Sequence, residues 1–292
     1  MRFDPDHLTA LVAIAEEGTF EAAARRLSLT PSAVSQRIRA LERVVGGVVV
    51  QRTTPATLTA AGEPLVRLGR QWRLLELEAR AELGGDEQVV AELGVAVNAD
   101  SLATWFRPVL AAVAQRPEVA LRLHIEDQGY TDGLLRRGEV LAAVTDSPIP
   151  VQGCSVEPLG TLRYRPAAAP ALIERHRHGR GVDWRMMPMV VFNERDHLQD
   201  DVLAARGLPR PPVVHRVPST EDFRAALIAG LGWGLLPLAH LDAGVAAGQL
   251  APMPGTRPHE IALHWQRWRL ESRALAALTD DVRAASRALR RR

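Results

Sequence analysis

The sequence lacks lysine, has a single cysteine and contains no long apolar run. One cysteine, Cys154, cannot form an intrachain disulfide and is typical of a reducing compartment. No uninterrupted apolar stretch approaches the roughly 18 residues that a membrane-spanning helix needs. The first ten residues include Asp4 and Asp6 and have no apolar core of the kind found in signal peptides. These absences predict a soluble, cytoplasmic protein with no membrane partner.

The absence of lysine changes what the high isoelectric point means. All 36 basic residues are arginines, and 34 acidic residues oppose them to leave a net charge of +2. Arginine keeps its charge at every relevant pH, so a small excess of it produces an isoelectric point near 9.3. The isoelectric point alone is therefore weak support for nucleic-acid binding, and the location of the charge matters more.

Motifs for catalysis, phosphate binding and metal binding are missing as well. No G-x-S-x-G, P-loop or metalloprotease motif occurs, and the glycines of residues 230–234 lack the spacing of a dinucleotide loop. His176 and His178 stand among arginines, without the acids or cysteines that would complete a metal site. We therefore expect no catalytic residue, no metal and no cofactor.

What is present is enough material for two domains. A length of 292 residues predicts about two domains, and 47% hydrophobic residues with 24% charged residues are typical of a globular protein. The first sixty residues have three stretches with helical spacing of apolar side chains. Two of these stretches follow a hydroxyl residue suited to capping a helix, Thr19 and Thr30, and the second is followed by Pro31. The apolar positions are Leu8, Leu11, Val12 and Ala15; Phe20, Ala23, Ala24 and Leu27; and Val34, Ile38, Leu41 and Val45.

The outer face of the third stretch is polar and basic. Two short helices, a tight turn and a third helix of this kind predict a helix-turn-helix that binds double-stranded DNA. Residues 25–52 contain six arginines and one glutamate, a local net charge of +5. The alternative is a small helical subdomain with a solvated arginine face. The candidate DNA contacts are Thr30, Ser32, Ala33, Ser35, Gln36, Arg37, Arg39, Arg43 and Arg52.

A longer helix is predicted from Thr59 to about Leu83. Its apolar residues Leu65, Leu68, Trp72 and Leu75 alternate at spacings of three and four, as in a two-helix coiled coil. We expect this seam to form a homodimer, because a helix-turn-helix usually binds two half-sites. The alternative is one amphipathic helix packed on its own domain. Gly84, Gly85 and Asp86 predict a hinge after it.

The remaining two hundred residues alternate between strand-like apolar runs and amphipathic helices. This alternation predicts an α/β fold with largely parallel sheets, and prolines 148 and 150 mark a crossing between two halves. The predicted strands are residues 91–97, 119–125, 140–145, 189–192, 213–217, 234–236 and 261–265. The predicted helices are residues 102–115, 196–206, 220–229 and 272–291.

Polar side chains follow several of these strands, where an α/β fold binds ligands in a cleft between its halves. A helix start can bind a carboxylate through free backbone N–H groups, and nearby acids suit a cationic side chain. Together they predict a binding site for a basic amino acid, although each residue could equally cap a helix or lie in solvent. The candidates are Asn98, Asp100, Ser101, Trp105, Glu126, Asp127, Asp146, Asn193, His197, Ser219 and Thr220.

The amino-terminal motif resembles the LysR-type transcriptional regulators. The resemblance is carried by Phe20-Glu21-Ala22-Ala23-Ala24-Arg25-Arg26-Leu27, by Thr30-Pro31-Ser32-Ala33-Val34-Ser35-Gln36-Arg37-Ile38 and by Leu58-Thr59-Ala60-Ala61-Gly62. Two departures are visible, because Val49-Val50 replace the usual Leu-Phe pair and Pro55-Ala56 stand where a second wing arginine is usual. Contacts from the wing are therefore less secure than contacts from the third helix.

Later segments are similar to one branch of that family, the lysine- and arginine-export regulators. They are residues 93–111, 135–140, 232–237 and 265–273, and Pro55 in the wing is shared with this branch. The resemblance implies L-lysine or L-arginine as effector, with L-histidine as a further candidate, and activation of an exporter gene. Some members inhibit replication initiation, so an architectural DNA-binding protein without a metabolite switch is the alternative. An enzyme or a transport-type binding protein is disfavoured by the absent motifs and signal sequence.

The resemblance also implies an architecture. It comprises an all-α winged helix-turn-helix, a linker helix and an α/β effector domain of two Rossmann-like, periplasmic-binding-protein-like half-domains. The predicted boundaries are 1–59, 60–86 and 87–292, with half-domain I at about 87–157 plus 268–292 and half-domain II at about 158–267. The implied partners are promoter DNA, the effector, RNA polymerase and further copies of the chain, as a homodimer or homotetramer.

Overall fold

A computed structural model describes residues 2–83, 90–126 and 128–290. The predicted hinge at Gly84–Asp86 and the candidate residue Asp127 lie outside these ranges. The helices are α1 (Pro5–Glu17), α2 (Phe20–Arg26), α3 (Pro31–Val45), α4 (Gly62–Glu82), α5 (Ala99–Ala103), α6 (Arg107–Val113), α7 (Thr131–Arg136), α8 (Pro170–Arg175), α9 (Leu198–Ala204), α10 (Thr220–Ile228), α11 (Leu238–Ala246) and α12 (Arg273–Ala285). The strands are β1 (Val50–Gln51), β2 (Thr57–Leu58), β3 (Ala91–Val97), β4 (Val119–Ile125), β5 (Ala142–Thr145), β6 (Cys154–Ala168), β7 (Arg177–His178), β8 (Gly181–Val182), β9 (Met189–Val191), β10 (Val214–Arg216), β11 (Gly234–Pro237), β12 (Ala251–Pro252) and β13 (His259–Trp268).

The chain forms two compact units that are not contiguous in sequence. The first unit contains Met1–Val97, Val109–Glu157 and Trp265–Val282. The second contains Asn98–Pro108, Pro158–His264 and Arg283–Arg292. The first unit therefore includes the helix-turn-helix, the linker helix and part of the α/β region. The helix-turn-helix, linker helix and α/β region agree with the predicted fold class.

Local signals in the sequence explain the first three helices. The hydroxyl of Thr19 accepts a hydrogen bond from the amide of Ala22, and the hydroxyl of Thr30 accepts one from the amide of Ala33, both at 3.1 Å. These two side chains therefore cap α2 and α3. Gly18 and Gly46 follow α1 and α3 with φ of 72° and 79°, a conformation that only glycine adopts without strain. The buried residues of the three helices pack with Val49 and Val50, which lead into a two-stranded antiparallel wing of β1 and β2.

The linker helix α4 packs along α1 through one face. Gly69 permits this close approach, because a Cβ at that position would lie 2.7 Å from Cγ2 of Val12. Leu65 and Val66 are buried in the same core. The hydroxyl of Thr59 accepts a hydrogen bond from the amide of Gly62 at 3.2 Å, so the predicted start signal acts on the first turn of α4.

The α/β part of the first unit is built on parallel strands. β3 pairs in parallel with β4 over its whole length and with β5 on its other side. Leu135, Val140, Ala143, Val151 and Trp268 form part of the core beside them. Because the strands are parallel, their carboxyl ends share one edge, where Glu126 follows β4 and Asp146 follows β5.

The second unit mixes parallel and antiparallel pairing. β11 and β12 pair antiparallel with β6, whereas β9 and β10 pair in parallel. Its core includes Val190, Phe223, Leu227, Leu236 and Leu241. Parallel pairing of β9 and β10 places the loops that follow them at one edge of this small sheet.

Some elements differ from the sequence predictions. The helix expected over residues 102–115 is divided into α5 and α6, because Thr104 leaves the helical region with ψ of −98°. The helix expected over residues 272–291 ends at Ala285 and continues as a 3-10 turn, Ser286–Arg290. β6 was not expected, and neither were α7, α8 and α11. Across the described residues, every helix is too short or too polar to cross a membrane.

Candidate DNA-binding and effector-binding sites

The exposed face of α3 carries most of the predicted DNA contacts. Thr30, Ser32, Gln36, Arg39 and Arg43 are exposed, while Ser35 and Ala33 are half-buried. Val34, Ile38 and Leu41 are buried on the opposite face, which fixes this orientation of the helix. Gln36, Arg39 and Arg43 also line one surface hollow with Gly47 and Val48. The geometry therefore leaves amide and guanidinium groups available on one side of the helix.

Two of the predicted arginine contacts are engaged within the protein. Nη2 of Arg37 lies 2.7 Å from Oδ2 of Asp6, in α1. The guanidinium of Arg52 lies 4.7 Å from the centre of the Phe20 ring and stacks on it. Arg52 is nevertheless exposed at the base of the wing, whereas Arg37 holds α3 against α1.

The single acid of the basic segment is also held by the protein. The carboxylate of Glu42 accepts a hydrogen bond from the amide of Val49 at 3.2 Å. That contact ties its charge to the turn after α3 and leaves Arg39 and Arg43 as the charged groups at the centre of the exposed face. This arrangement favours an anionic partner such as a DNA backbone.

The predicted dimerisation seam on α4 is divided by the fold. Leu65 is buried in the core of its own chain, with 6% of its surface exposed. Leu68, Trp72 and Leu75 are exposed by 37%, 45% and 38%. The helix thus packs on its own domain through one face, and a second apolar face is left uncovered in a single chain.

In the second unit, Asn98 and Ser101 form the start of α5. The side chain of Asn98, which is 5% exposed, accepts a hydrogen bond from the amide of Ser101 at 2.7 Å. Ser101 is fully buried, and its hydroxyl finds no hydrogen-bond partner among the described residues. Asp100 is half-buried in the same turn. A buried hydroxyl of this kind costs free energy unless a ligand or water satisfies it.

Trp105 lies just beyond this turn. Its ring packs edge-on against Phe106, with ring centres 5.6 Å apart, and its indole N–H lacks a hydrogen-bond partner within the described chain. Trp105 also lines a groove of about 610 Å³ with Leu162, Leu238 and His240. Burial, the largest cause, lowers the pKa of His240 below its ordinary value and favours the neutral ring.

The other candidates of the second unit lie at strand ends and helix starts. The side chain of Asn193 accepts a hydrogen bond from the amide of Arg195 at 2.7 Å, and His197 lies exposed, with Nδ1 3.3 Å from Asp200. The hydroxyl of Ser219 accepts a hydrogen bond from the amide of Asp222 at 3.3 Å and so caps α10. Thr220 begins α10, a helix that contacts α5. Ser219 and Thr220 therefore belong to the same neighbourhood as Ser101, whereas His197 is engaged by Asp200.

The first unit contains the candidate acids that follow β4 and β5. Glu126 is half-buried after β4, and Asp146 is exposed after β5. A Cβ at Gly129 would lie 3.9 Å from Oδ2 of Asp146, so this carboxylate faces the turn that leads into α7. Asp132, in the first turn of α7, was not among the candidates.

The carboxylate of Asp132 is only partly satisfied by contacts within the described chain. Its Oδ1 is buried without a hydrogen-bond partner in the described structure, and its Oδ2 lies 3.9 Å from Arg136. Burial, the largest cause, raises the pKa of Asp132, with a further contribution from Asp146, while Arg136 opposes the change. Its position was a usable signal, because Asp132 comes only a few residues after the acids at 126 and 127 that were already candidates.

Comparisons with known proteins identify the family. Residues 5–63 match the bacterial regulatory helix-turn-helix protein of the lysR family, and residues 86–287 match the LysR substrate-binding domain. The chain belongs to the LysR family of transcriptional regulators. Like the relatives that it matches, it is a DNA-binding regulator and not an enzyme.

Among LysR-family relatives, a lysine export transcriptional regulatory protein LysG from Corynebacterium efficiens is 48% identical over 287 residues, which cover 98% of each chain. Full-length LysG from Corynebacterium glutamicum, solved with bound effector Arg, is 44% identical with a TM-score of 0.82, covering 99% of this chain and 100% of that one. ArgP from Mycobacterium tuberculosis is 42% identical with a TM-score of 0.89, covering 99% of both chains. This LysR-family chain is therefore similar to such regulators over its whole length.

Proposed function

We propose that this LysR-type regulator binds a basic amino acid, L-arginine or L-lysine, and activates a gene for its export. The observation that carries the proposal is the full-length LysG relative with bound arginine, which aligns with 99% of this chain at 44% identity. The name of the Corynebacterium efficiens relative supports lysine export as the controlled process.

Each unit of the chain offers chemistry suited to part of an amino acid. In the second unit, Asn98, Asp100, Ser101, Trp105, Ser219 and Thr220 surround helix starts that suit a carboxylate, and Asn193 and His197 remain candidates at a strand end. In the first unit, Glu126, Asp132 and Asp146 suit an ammonium or guanidinium group. The prediction that one ligand uses both groups of residues stays a prediction.

DNA recognition is proposed for the exposed side of α3. Gln36 and Arg39 are the candidates for base contacts, because an amide and a guanidinium can each form paired hydrogen bonds with base edges. Thr30, Ser32, Ser35, Arg43 and Arg52 are candidates for backbone contacts, and Arg37 acts through α3 by its ion pair with Asp6. Ala33 offers only a methyl group.

Self-association is proposed through α4. Leu68, Trp72 and Leu75 form an exposed apolar face with coiled-coil spacing, while Leu65 serves the core of its own chain. A dimer would place two copies of α3 on two half-sites. Tetramer formation, a contact with RNA polymerase and a cytoplasmic location belong to the same proposal.

Thermal unfolding with added amino acids tests the effector. L-arginine, L-lysine and L-histidine at millimolar concentration are compared with L-alanine, because a ligand that binds only the folded state raises the midpoint of unfolding. We expect a rise with at least one basic amino acid and none with L-alanine. If no basic amino acid shifts the midpoint and none changes a promoter footprint, the effector assignment is wrong.

A further inference from the structure

The linker helix α4 contacts the carboxyl end of α7 through two arginines. Nη1 of Arg67 donates a hydrogen bond to the carbonyl of Arg136 at 2.9 Å, and Nη1 of Arg70 donates to the carbonyl of Arg137 at 3.4 Å. These carbonyls are at the end of a helix, where unpaired oxygens and the helix dipole attract positive charge. The guanidinium of Arg67 also stacks on Trp268, 4.7 Å from the ring centre. All of these residues belong to the first unit.

The same helix contacts the amino end of α12 through a glutamate. The carboxylate of Glu78 accepts hydrogen bonds from the hydroxyl of Ser272 at 2.6 Å, from the amide of Arg273 at 3.2 Å and from the amide of Ala274 at 3.2 Å. An anion at the start of a helix satisfies amides that have no partner within the helix. α4 therefore presents positive charge to a helix end and negative charge to a helix start.

α7 has different roles at its two ends. Its first turn carries Asp132, whose Oδ1 is buried without a hydrogen-bond partner among the described residues. Its last carbonyl groups bind Arg67 and Arg70. Because α7 has only six residues, a displacement at one end moves the other. Arg70 continues the connection, since its Nε lies 3.2 Å from Glu16 in α1.

We propose that Arg67, Arg70 and Glu78 are positioning residues that carry the occupancy of the acidic end of α7 to the linker helix and to the DNA-binding helices. This inference rests on the proposed function, because it requires a cationic effector near Asp132. The effector can change DNA binding only if α7 adopts two placements and the effector has a different affinity for each of them. The linker helix contacts the end of α7 directly through Arg67 and Arg70. It contacts α12 through Glu78, and the segment before α12 shares a core with α7 through Trp268 and Leu135.

The test compares Arg67→Gln and Glu78→Gln with matched controls on the same helix. Arg80→Gln and Glu76→Gln remove the same charges from a solvent-exposed ion pair on α4, whose charged atoms lie 2.8 Å apart. For each full-length variant, the affinity for promoter DNA is measured with and without L-arginine, and arginine binding is measured by calorimetry. The ratio of the two DNA affinities is the coupling factor.

We expect Arg67→Gln and Glu78→Gln to bind arginine and DNA while their coupling factor falls toward 1, from a wild-type value in the usual range of about 5 to 150. The two controls should keep the wild-type factor. A wild-type factor in both test variants overturns the inference and leaves the proposed function standing. A wild-type chain that binds no basic amino acid overturns the proposed function, and this inference with it.

A second measurement needs no variant and so does not depend on folding. Hydrogen exchange of the amides of Arg273 and Ala274 in the wild-type protein reports how firmly Glu78 holds α12. We expect their exchange rates to change when L-arginine is added and to stay constant when L-alanine is added. Rates that do not respond to L-arginine, in a protein that binds it, overturn the inference.

Discussion

Oε1 of Glu16 lies 3.2 Å from Nε of Arg70, and this ion pair joins the first helix to the linker helix. Glu16 also contacts Arg26 at 2.6 Å and Arg73 at 3.4 Å, so one carboxylate serves three guanidinium groups from two other helices. Its side chain is only 8% exposed. A single, largely buried charge therefore adds an electrostatic contact to the apolar packing of the linker helix on the DNA-binding helices.

Removing that charge should weaken the packing of α1 on α4. Glu16→Gln leaves three arginines close together without their common counter-charge. We expect a loss of about 2 kcal/mol, less than the roughly 3–5 kcal/mol for a fully buried pair, because Arg26 and Arg73 reach solvent. Hydrogen exchange of amides in α1 and α4 measures the loss. Glu17→Gln, which removes an exposed partner of Arg26, should have a much smaller effect, and equal effects would contradict the assignment.

The same carboxylate predicts a pH dependence. Burial raises the pKa of Glu16, but the charges of Arg73, Arg70 and Arg26 outweigh burial and hold the pKa below its ordinary 4.5. A carboxyl with a depressed folded-state pKa contributes stability that is fully present above the unfolded value and is lost as the pH falls through the folded value. The stability difference between wild type and Glu16→Gln should thus be constant above about pH 5 and shrink below it. Unfolding measured from pH 3 to 7 checks this, and a constant difference would refute it.

DNA recognition should depend on Gln36 and Arg39. Replacing either by alanine removes a side chain that can form paired hydrogen bonds with a base, each pair contributing about 1–3 kcal/mol of discrimination. We expect specific promoter footprints to disappear while the oligomeric mass stays unchanged. Arg175→Ala removes an exposed arginine from the second unit and is the matched control. Unchanged footprints in both α3 variants would show that another surface recognises the operator.

Self-association should depend on the exposed face of α4. Trp72→Glu places a charge where the proposed coiled coil would bury an indole, so the dimer should dissociate at micromolar concentration. Leu65 is already buried within its own chain, and its substitution should instead unfold the DNA-binding region. Light scattering after gel filtration distinguishes the two results. Glu76→Ala, on the same helix, should leave the mass unchanged, and a Trp72→Glu dimer would exclude this face.

Effector charge recognition should depend on Asp132. Asp132→Asn keeps the size of the side chain and removes its negative charge, so arginine and lysine should bind at least about tenfold more weakly, a difference of about 1.4 kcal/mol. Calorimetry measures the affinity, with Asp242→Asn, an exposed acid of the second unit, as the control. Because the pKa of Asp132 is raised, binding should strengthen as the pH rises through it. Unaltered affinity in Asp132→Asn would remove this residue from the site.

Local signals made much of the fold predictable. Thr19 and Thr30 cap the helices that they were expected to cap, because a hydroxyl before an apolar helical repeat has few other roles. The alternation of apolar runs with amphipathic stretches indicated the α/β region, because strands and helices have different spacings of apolar side chains. β6 was missed because Pro158, Gly160 and Pro166 resemble a loop, yet Pro166 pairs with Leu235 inside a sheet.

Contacts distant in sequence were not predictable from the pattern. Glu78 looked like one of several alternating charges on a solvated helix, and nothing near it indicates that α12, almost two hundred residues later, begins against it. Asp132 was missed for a related reason, since its burial depends on how α7 packs. For Leu65 and Leu68 the heptad pattern was visible, but only the fold separates the residue that packs internally from the one that is exposed.

The positions of Arg67 and Glu78 on α4 make the length of helix between them a fixed quantity. Glu78 comes eleven positions after Arg67, which corresponds to about three helical turns, so both side chains point the same way about 16 Å apart. One residue inserted between them would rotate Glu78 by about 100° and aim it away from α12. The number of residues in that interval is therefore fixed by this geometry, in addition to the separate roles of Gly69, Arg70 and Trp72 within it. In the engineering of chimeric regulators from this chain, the interval from 67 to 78 must be exchanged as one piece.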